Sequence, residues 1–184
     1  MVFSSLIFLF LFLVLNLTIY LCVKDKYKNI VLLVFSLIFY AWGGPKYLLL
    51  LVGETFASWF FALRIEKSEN DRGRKLYMAG ECVVLLGLLG YFKYAVFFLE
   101  NFQMLFGVPE VIPNIVLPIG ISFYTFQLLS YVVDVYRGEI HAQPAFWKLL
   151  LYSSLFHQCI AGPIVRYETV ANEIDNRKVS QTDI

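Results

Sequence analysis

Gln127, Ser130, Tyr131 and Asp134 recur at i, i+3, i+4 and i+7 within an otherwise apolar stretch, with Tyr124 one turn earlier. On a helix this spacing sets them on one face, a stripe of hydrogen-bonding groups ending in a carboxyl. Such a stripe cannot be turned towards lipid. Arg137, three residues beyond Asp134, lies within reach of an ion pair with it. Ser153, Ser154, His157 and Gln158 give a second polar face on the last apolar run. Either the two faces hydrogen-bond to each other across a helix interface or they line a wet cavity that serves as a substrate path.

His141 and His157 are the only histidines, the first in a loop and the second on an apolar helix. A lone intramembrane histidine is a structural group more often than a reactive one, so His157 stands as a candidate and no more. No Ser-His-Asp set, paired carboxylates, phosphate-binding loop or metal-ligand cluster can be assembled from these residues, so no metal is expected and the catalytic group is placed elsewhere. Lys93, within Gly90-Tyr91-Phe92-Lys93-Tyr94, reads as an interfacial anchor among aromatics. Cys22, Cys82 and Cys159 are far apart in apolar sequence and read as small buried hydrophobes.

The elements that must position these groups follow from composition. Hydrophobic residues make up 59% of the 184 positions and charged residues 16%, against roughly 45–50% and 25% in soluble chains. The excess is arranged in runs. Met1–Val23 carries no charge and is long enough to cross a hydrocarbon core of about 30 Å. It lacks the basic n-region and small-residue site of a cleaved signal. Further apolar runs cover Ile30–Trp42, Tyr47–Leu63, Leu76–Leu99, Ile115–Val133 and Phe146–Ile160. The fold expected is therefore an all-α, polytopic transmembrane helical protein of about six spans.

The second run is short, and Lys28 is expected to reach outward along its stem to extend it. Glu54 sits in the middle of the third run and must face protein, because a lipid-facing carboxylate there costs about 2.5–3.5 kcal/mol. Pro118 and Gly120 free backbone carbonyls near the outer end of the fifth run, either beside a binding site or as a packing kink. The chain divides into a transmembrane part, residues 1–165, and a polar segment, residues 166–184, that begins a cytoplasmic or interfacial region. Polar loops are expected over Arg64–Lys75 and Glu100–Asn114; the first is basic and the second has no Lys or Arg. The positive-inside bias then sets Met1 outside, in a multi-pass protein of the inner or cytoplasmic membrane. A net charge of +1 gives no nucleic-acid surface.

Five stretches taken in order carry a resemblance: MVFSS at the start, FYAWGGPKYLLLL ending at Leu51, GYFKYAVFF from Gly90, LPIGISFYTFQLLSYVVDVYRGE from Leu117, and IAGPIVRY from Ile160. Together they resemble the membrane-bound O-acyltransferases, in particular the bacterial branch that holds alginate O-acetyltransferases and teichoic-acid D-alanyl transferases. The resemblance implies a multi-span enzyme that passes an acyl group, acetyl first among candidates, from a cytoplasmic donor to hydroxyls of an exported polysaccharide such as alginate. The donor would be an acyl-CoA or acyl-carrier thioester used as substrate, with no resident cofactor. Membrane lipid surrounds such a protein, and the family leaves room for an extracytoplasmic acyl-transfer partner protein.

Gly120, Ser122, Phe123, Gln127, Tyr131, Asp134, Arg137, Gly162, Pro163 and Arg166 match motif positions, and His157 stands where this branch usually has Pro. In such proteins a conserved histidine lies in a later helix, beyond residue 184, so the sequence is expected to be the front part of a longer chain and inactive by itself. Gln127, Tyr131, Asp134, His157, Gln158 and Arg166 remain the substrate-path or structural candidates. D-alanyl transfer to teichoic acid, and a non-enzymatic polytopic subunit or transporter, are the alternatives.

Overall fold

A computed structural model describes residues 5–106, 115–158 and 165–175. Every regular element among them is helical. A π-helical stretch, Ile7–Phe12, leads into α1 (Leu13–Cys22), followed by α2 (Asp25–Gly43), α3 (Pro45–Lys67), α4 (Asp71–Phe106), α5 (Ile121–Arg137) and α6 (Phe146–Ser154). A 3-10 turn, Phe156–Gln158, and α7 (Tyr167–Asp175) complete the order.

Two helices are long and apolar enough to cross a bilayer on their own, α3 with 23 residues and α4 with 36. At about 1.5 Å per residue they reach roughly 34 and 54 Å. The helix α3 is the hub, packing against α2, α4, α5 and α6. Its inward face, Leu51, Glu54, Thr55, Ser58, Ala62 and Ile65, is buried, whereas α4 leaves Leu76, Val83 and Leu86 exposed to the surroundings. Phe8 and Phe12 pack with Phe35, Phe39 and Phe156 at ring-centroid separations of 5.3–6.2 Å, joining the N-terminal helix to α2 and the 3-10 turn.

Several boundaries differ from those the sequence suggests. The polar stretch Arg64–Lys75 is not a loop: α3 continues to Lys67 and α4 starts at Asp71. Arg, Lys and Glu are good helix formers, and Arg64 and Lys67 in the last turn suit the negative end of the α3 dipole. The turn of residues 68–70 is closed by the Asn70 side-chain oxygen, which accepts from the Arg72 N–H at 3.0 Å. Likewise Glu100 to Phe106 extend α4, and only residues 107–114 of the expected outer loop lie outside the described residues.

The fifth run turns helical only at Ile121. Gly120 precedes it in the left-handed region, φ 75°, and Pro118 has no N–H to continue a helix. Pro118 and Gly120 therefore mark the start of α5 and not a kink within a span. Gly138, φ 77°, ends the helix with its N–H on Asp134 and Val135 carbonyls, and a residue with a Cβ would cost about 1–2 kcal/mol in that conformation.

The last run holds α-helix for nine residues only. Ser153 and Ser154 hydroxyls turn back to the Leu150 and Leu151 carbonyls at 3.2 and 3.5 Å, competing with the helical ladder, and Leu155 leaves the helical region with ψ 105°. Consequently Ser153, Ser154, His157 and Gln158 do not share one continuous helical face.

Two side chains also depart from expectation. Lys28 does not reach outward: its side chain is 8% exposed, 2.6 Å from Asp25 and 5.4 Å from the Tyr20 ring centroid. A partner one turn away and an aromatic face retain the ammonium inside. Cys22 is exposed and Cys82 half-buried, while Cys159 lies outside the described residues.

Candidate functional site

Three polar layers cross the bundle. The first lies on α3. Thr125 of α5 donates to Glu54 Oε2 at 2.8 Å, the Ser58 hydroxyl donates to Glu81 of α4, and the Thr55 and Ser153 hydroxyls sit 2.8 Å apart. Glu54, Thr55, Ser58, Glu81 and Thr125 are all buried. Glu54 thus faces protein, as the insertion energetics require.

The second layer joins the two sequence-predicted faces. Gln127 Nε2 donates to Gln158 Oε1 at 3.0 Å, and Ser130 donates to the Gln127 carbonyl at 2.8 Å. The break after Ser154 makes this contact: the 3-10 turn carries Gln158 towards α5 while His157, the residue before it, is exposed. The His157 ring stacks on Phe156 at 3.8 Å between centroids.

The third layer gathers at the Asp134 end of α5. Gln143 bridges two tyrosines, its backbone N–H donating to the Tyr131 hydroxyl at 2.8 Å and its side-chain amide to the Tyr167 hydroxyl at 2.7 Å. The Tyr167 ring meets those of Tyr131 and Tyr152 edge-on, each at 5.1 Å. Tyr152 donates to the Val165 carbonyl at 2.7 Å. Burial pushes the Tyr167 phenol up from its ordinary value, against the Gln143 hydrogen bond, so it remains neutral at physiological pH.

Asp134 does not pair with Arg137. Arg166 faces it instead, with Nη1 4.0 Å from Oδ1, and also lies 3.5 Å from Glu139, which Arg137 contacts at 3.4 Å. The αL turn at Gly138 sends the chain back over the helix end, so Arg137 finds Glu139 before Asp134. The second Asp134 oxygen is buried without a hydrogen-bond partner.

Beside this layer an open cleft of ≈ 480 Å³ is bordered by His141, Gln143, Lys148, Tyr167, Asn172 and Asp175. Lys148 meets Asp175 at 2.5 Å at its border, and the Asn29 amide of α2 also holds α7, donating to the Ile174 carbonyl at 2.6 Å. His141 is tied to Glu66 at 2.9 Å, and Lys93 lies 5.4 Å from the Tyr94 ring centroid.

Of the candidates named from sequence, Gln127 meets Gln158, Tyr131 shares a layer with Asp134 and Arg166, and His157 stacks on Phe156. Gly162 and Pro163 lie outside the described residues. Sequence reasoning missed Glu81, Ser58, Gln143 and Tyr167. Glu81 carried the same signal as Glu54, an acidic residue within an apolar run. Chemically, amides, hydroxyls and one guanidinium can orient a carbonyl, a hydroxyl or an anionic group. Among the described residues no group of three His, Cys, Asp or Glu side chains converges as a metal site.

Compared with known proteins, the chain is 40% identical to the probable alginate O-acetylase AlgI of Pseudomonas aeruginosa, an alignment taking in 96% of this chain and 35% of that protein. It is 38% identical to the protein of that name from Azotobacter vinelandii, over 96% of this chain and 36% of the relative. A peptidoglycan O-acetyltransferase of Helicobacter pylori is 30% identical, over 96% and 39%. The chain therefore spans a little over a third of the length of the curated relatives it matches. No family model matches it. No solved structure matches it either.

Proposed function

We propose that this chain, which belongs to the alginate O-acetylase branch of the membrane-bound O-acyltransferases, forms part of an enzyme that moves an acetyl group onto hydroxyls of an exported polysaccharide. The observation that carries the reading is the 40% identity spread over 96% of the chain. The polar layers support it, because they set amide, hydroxyl and guanidinium groups inside an apolar bundle where water does not compete for a carbonyl.

In the reaction the acceptor hydroxyl attacks a thioester carbonyl; a C–O bond forms, the C–S bond breaks, and the hydroxyl proton ends on the departing thiol. The donor is an acyl-CoA or acyl-carrier thioester arriving from the cytoplasm. Gln127 and Gln158 border the path along which donor or acceptor is oriented, and Tyr131, Asp134 and Arg166 shape its cytoplasmic end. About six apolar segments cross the inner membrane with Met1 outside, residues 1–165 forming the transmembrane part and 166–184 opening an interfacial region. An extracytoplasmic protein can complete delivery to the polymer.

The test is removal of the gene encoding this chain, followed by assay of alkali-labile acetate on the exported polysaccharide. Loss of that acetate, restored by the gene in trans, is expected. Unchanged acetate contradicts the reading, and loss of D-alanyl esters from the envelope in its place assigns the alternative acyl group.

A further inference from the structure

Glu54 and Glu81 belong to no step of the proposed acyl transfer, yet they are among the most deeply buried polar groups described, 1% and 0% exposed. They come from adjacent helices, α3 and α4. Ser58, one turn after Glu54 on the same face of α3, donates its hydroxyl to Glu81 and so draws the second carboxyl to the first.

Each carboxyl has one oxygen engaged, Glu54 by Thr125 and Glu81 by Ser58. The other oxygen of each, Glu54 Oε1 and Glu81 Oε2, is buried with no hydrogen-bond partner. No Lys, Arg or His forms an ion pair with either among the described residues. Two neighbouring carboxylates in a membrane-embedded interior, without a cation, repel each other and forfeit hydration at a cost of several kcal/mol per ion. The two unfilled oxygens are what a small positive species bound to the pair would use.

We infer that Glu54 and Glu81 form a buried site for one monovalent cation, a proton or an alkali-metal ion, held between α3 and α4. The site is independent of the acyl-transfer reading. Thr125 and Ser58 serve as its neutral donors, each engaging one oxygen of one carboxyl and leaving the other oxygen for the cation. Nothing else charged is needed from α5 or α6, whose groups at this level are Thr125 and Ser153.

The experiment uses the whole chain in lipid nanodiscs, as wild type, Glu54→Gln, Glu81→Gln and the double variant. Infrared spectra in H2O and D2O report a carboxylic-acid C=O band, and thermal unfolding is followed in sodium, potassium and choline chloride at equal ionic strength. A wild-type acid band that shifts in D2O and vanishes in the double variant identifies the proton. A melting temperature that rises with sodium or potassium but not choline, and loses that dependence in the variants, identifies the alkali ion. A wild type showing neither signal overturns the inference whether or not the variants fold, and so does a signal unchanged in all three variants.

Discussion

With the proposed acetyl transfer as readout, replacing Gln127 with Leu is expected to lower acetylation of the exported polysaccharide about tenfold or more while the protein remains at its normal level in the membrane. Gln127 is 3% exposed and gives its amide N–H to Gln158 at 3.0 Å. Leucine leaves the Gln158 carbonyl oxygen without that donor, at a cost of about 1–3 kcal/mol. An effect of that size in the transition state is about one to two powers of ten in rate. A purely structural amide pair predicts a different pattern. Substituting both glutamines by leucine would then restore a satisfied apolar contact and with it the activity, since removing both partners of a buried hydrogen bond is nearly neutral. The path reading expects the double variant to regain stability in an unfolding titration and to stay inactive. Acetate per repeating unit and unfolding midpoint, measured on the same preparations, decide between them.

Leu151→Ala is expected to destabilise the bundle by about 2 kcal/mol or more. Leu151 is fully buried on α6, a helix of nine residues. So short a helix has no standing of its own and is held by packing. Its inward residues Leu149, Leu151 and Tyr152 are all 0% exposed, and α6 packs on α2, α3 and α5. A cavity there loosens the ground from which the 3-10 turn places Gln158, so the stability loss carries an activity loss with it. Denaturant unfolding in detergent micelles gives the first quantity. A change below about 0.5 kcal/mol would mean that α6 is not locked into the core as described.

How far the sequence revealed the molecule varies by element. Apolar runs and the positions of charges gave the helical class, the inward direction of Glu54 and the shared burial of Gln127, Tyr131 and Asp134. Those depend on periodicity, which is local. The termini of α3 and α4 were not legible because charged residues that look like a loop are also good helix formers. The early end of α6 was hidden because Ser153 and Ser154 can either extend a polar helix face or cap its carbonyls, and only the surrounding packing selects the second. Arg166 was a candidate without a partner in the sequence; it becomes the neighbour of Asp134 only where the chain returns to the end of α5 just before α7. Glu81 was legible by the rule applied to Glu54, and its link through Ser58 needed the crossing of α3 and α4.

The apolar helices face lipid while their polar stripes face one another. A lipid-dissolved photoactivated carbene reagent, applied to native membranes and mapped by peptide mass, tests it residue by residue. Label is predicted on Val83, Leu86, Phe97 and Phe98 of α4, which are 45–73% exposed, and is predicted to be absent from Leu128, Leu149 and Leu151, each 0% exposed. Equal labelling of the two sets, or recovery of the chain as a monodisperse species in detergent-free buffer, would contradict it.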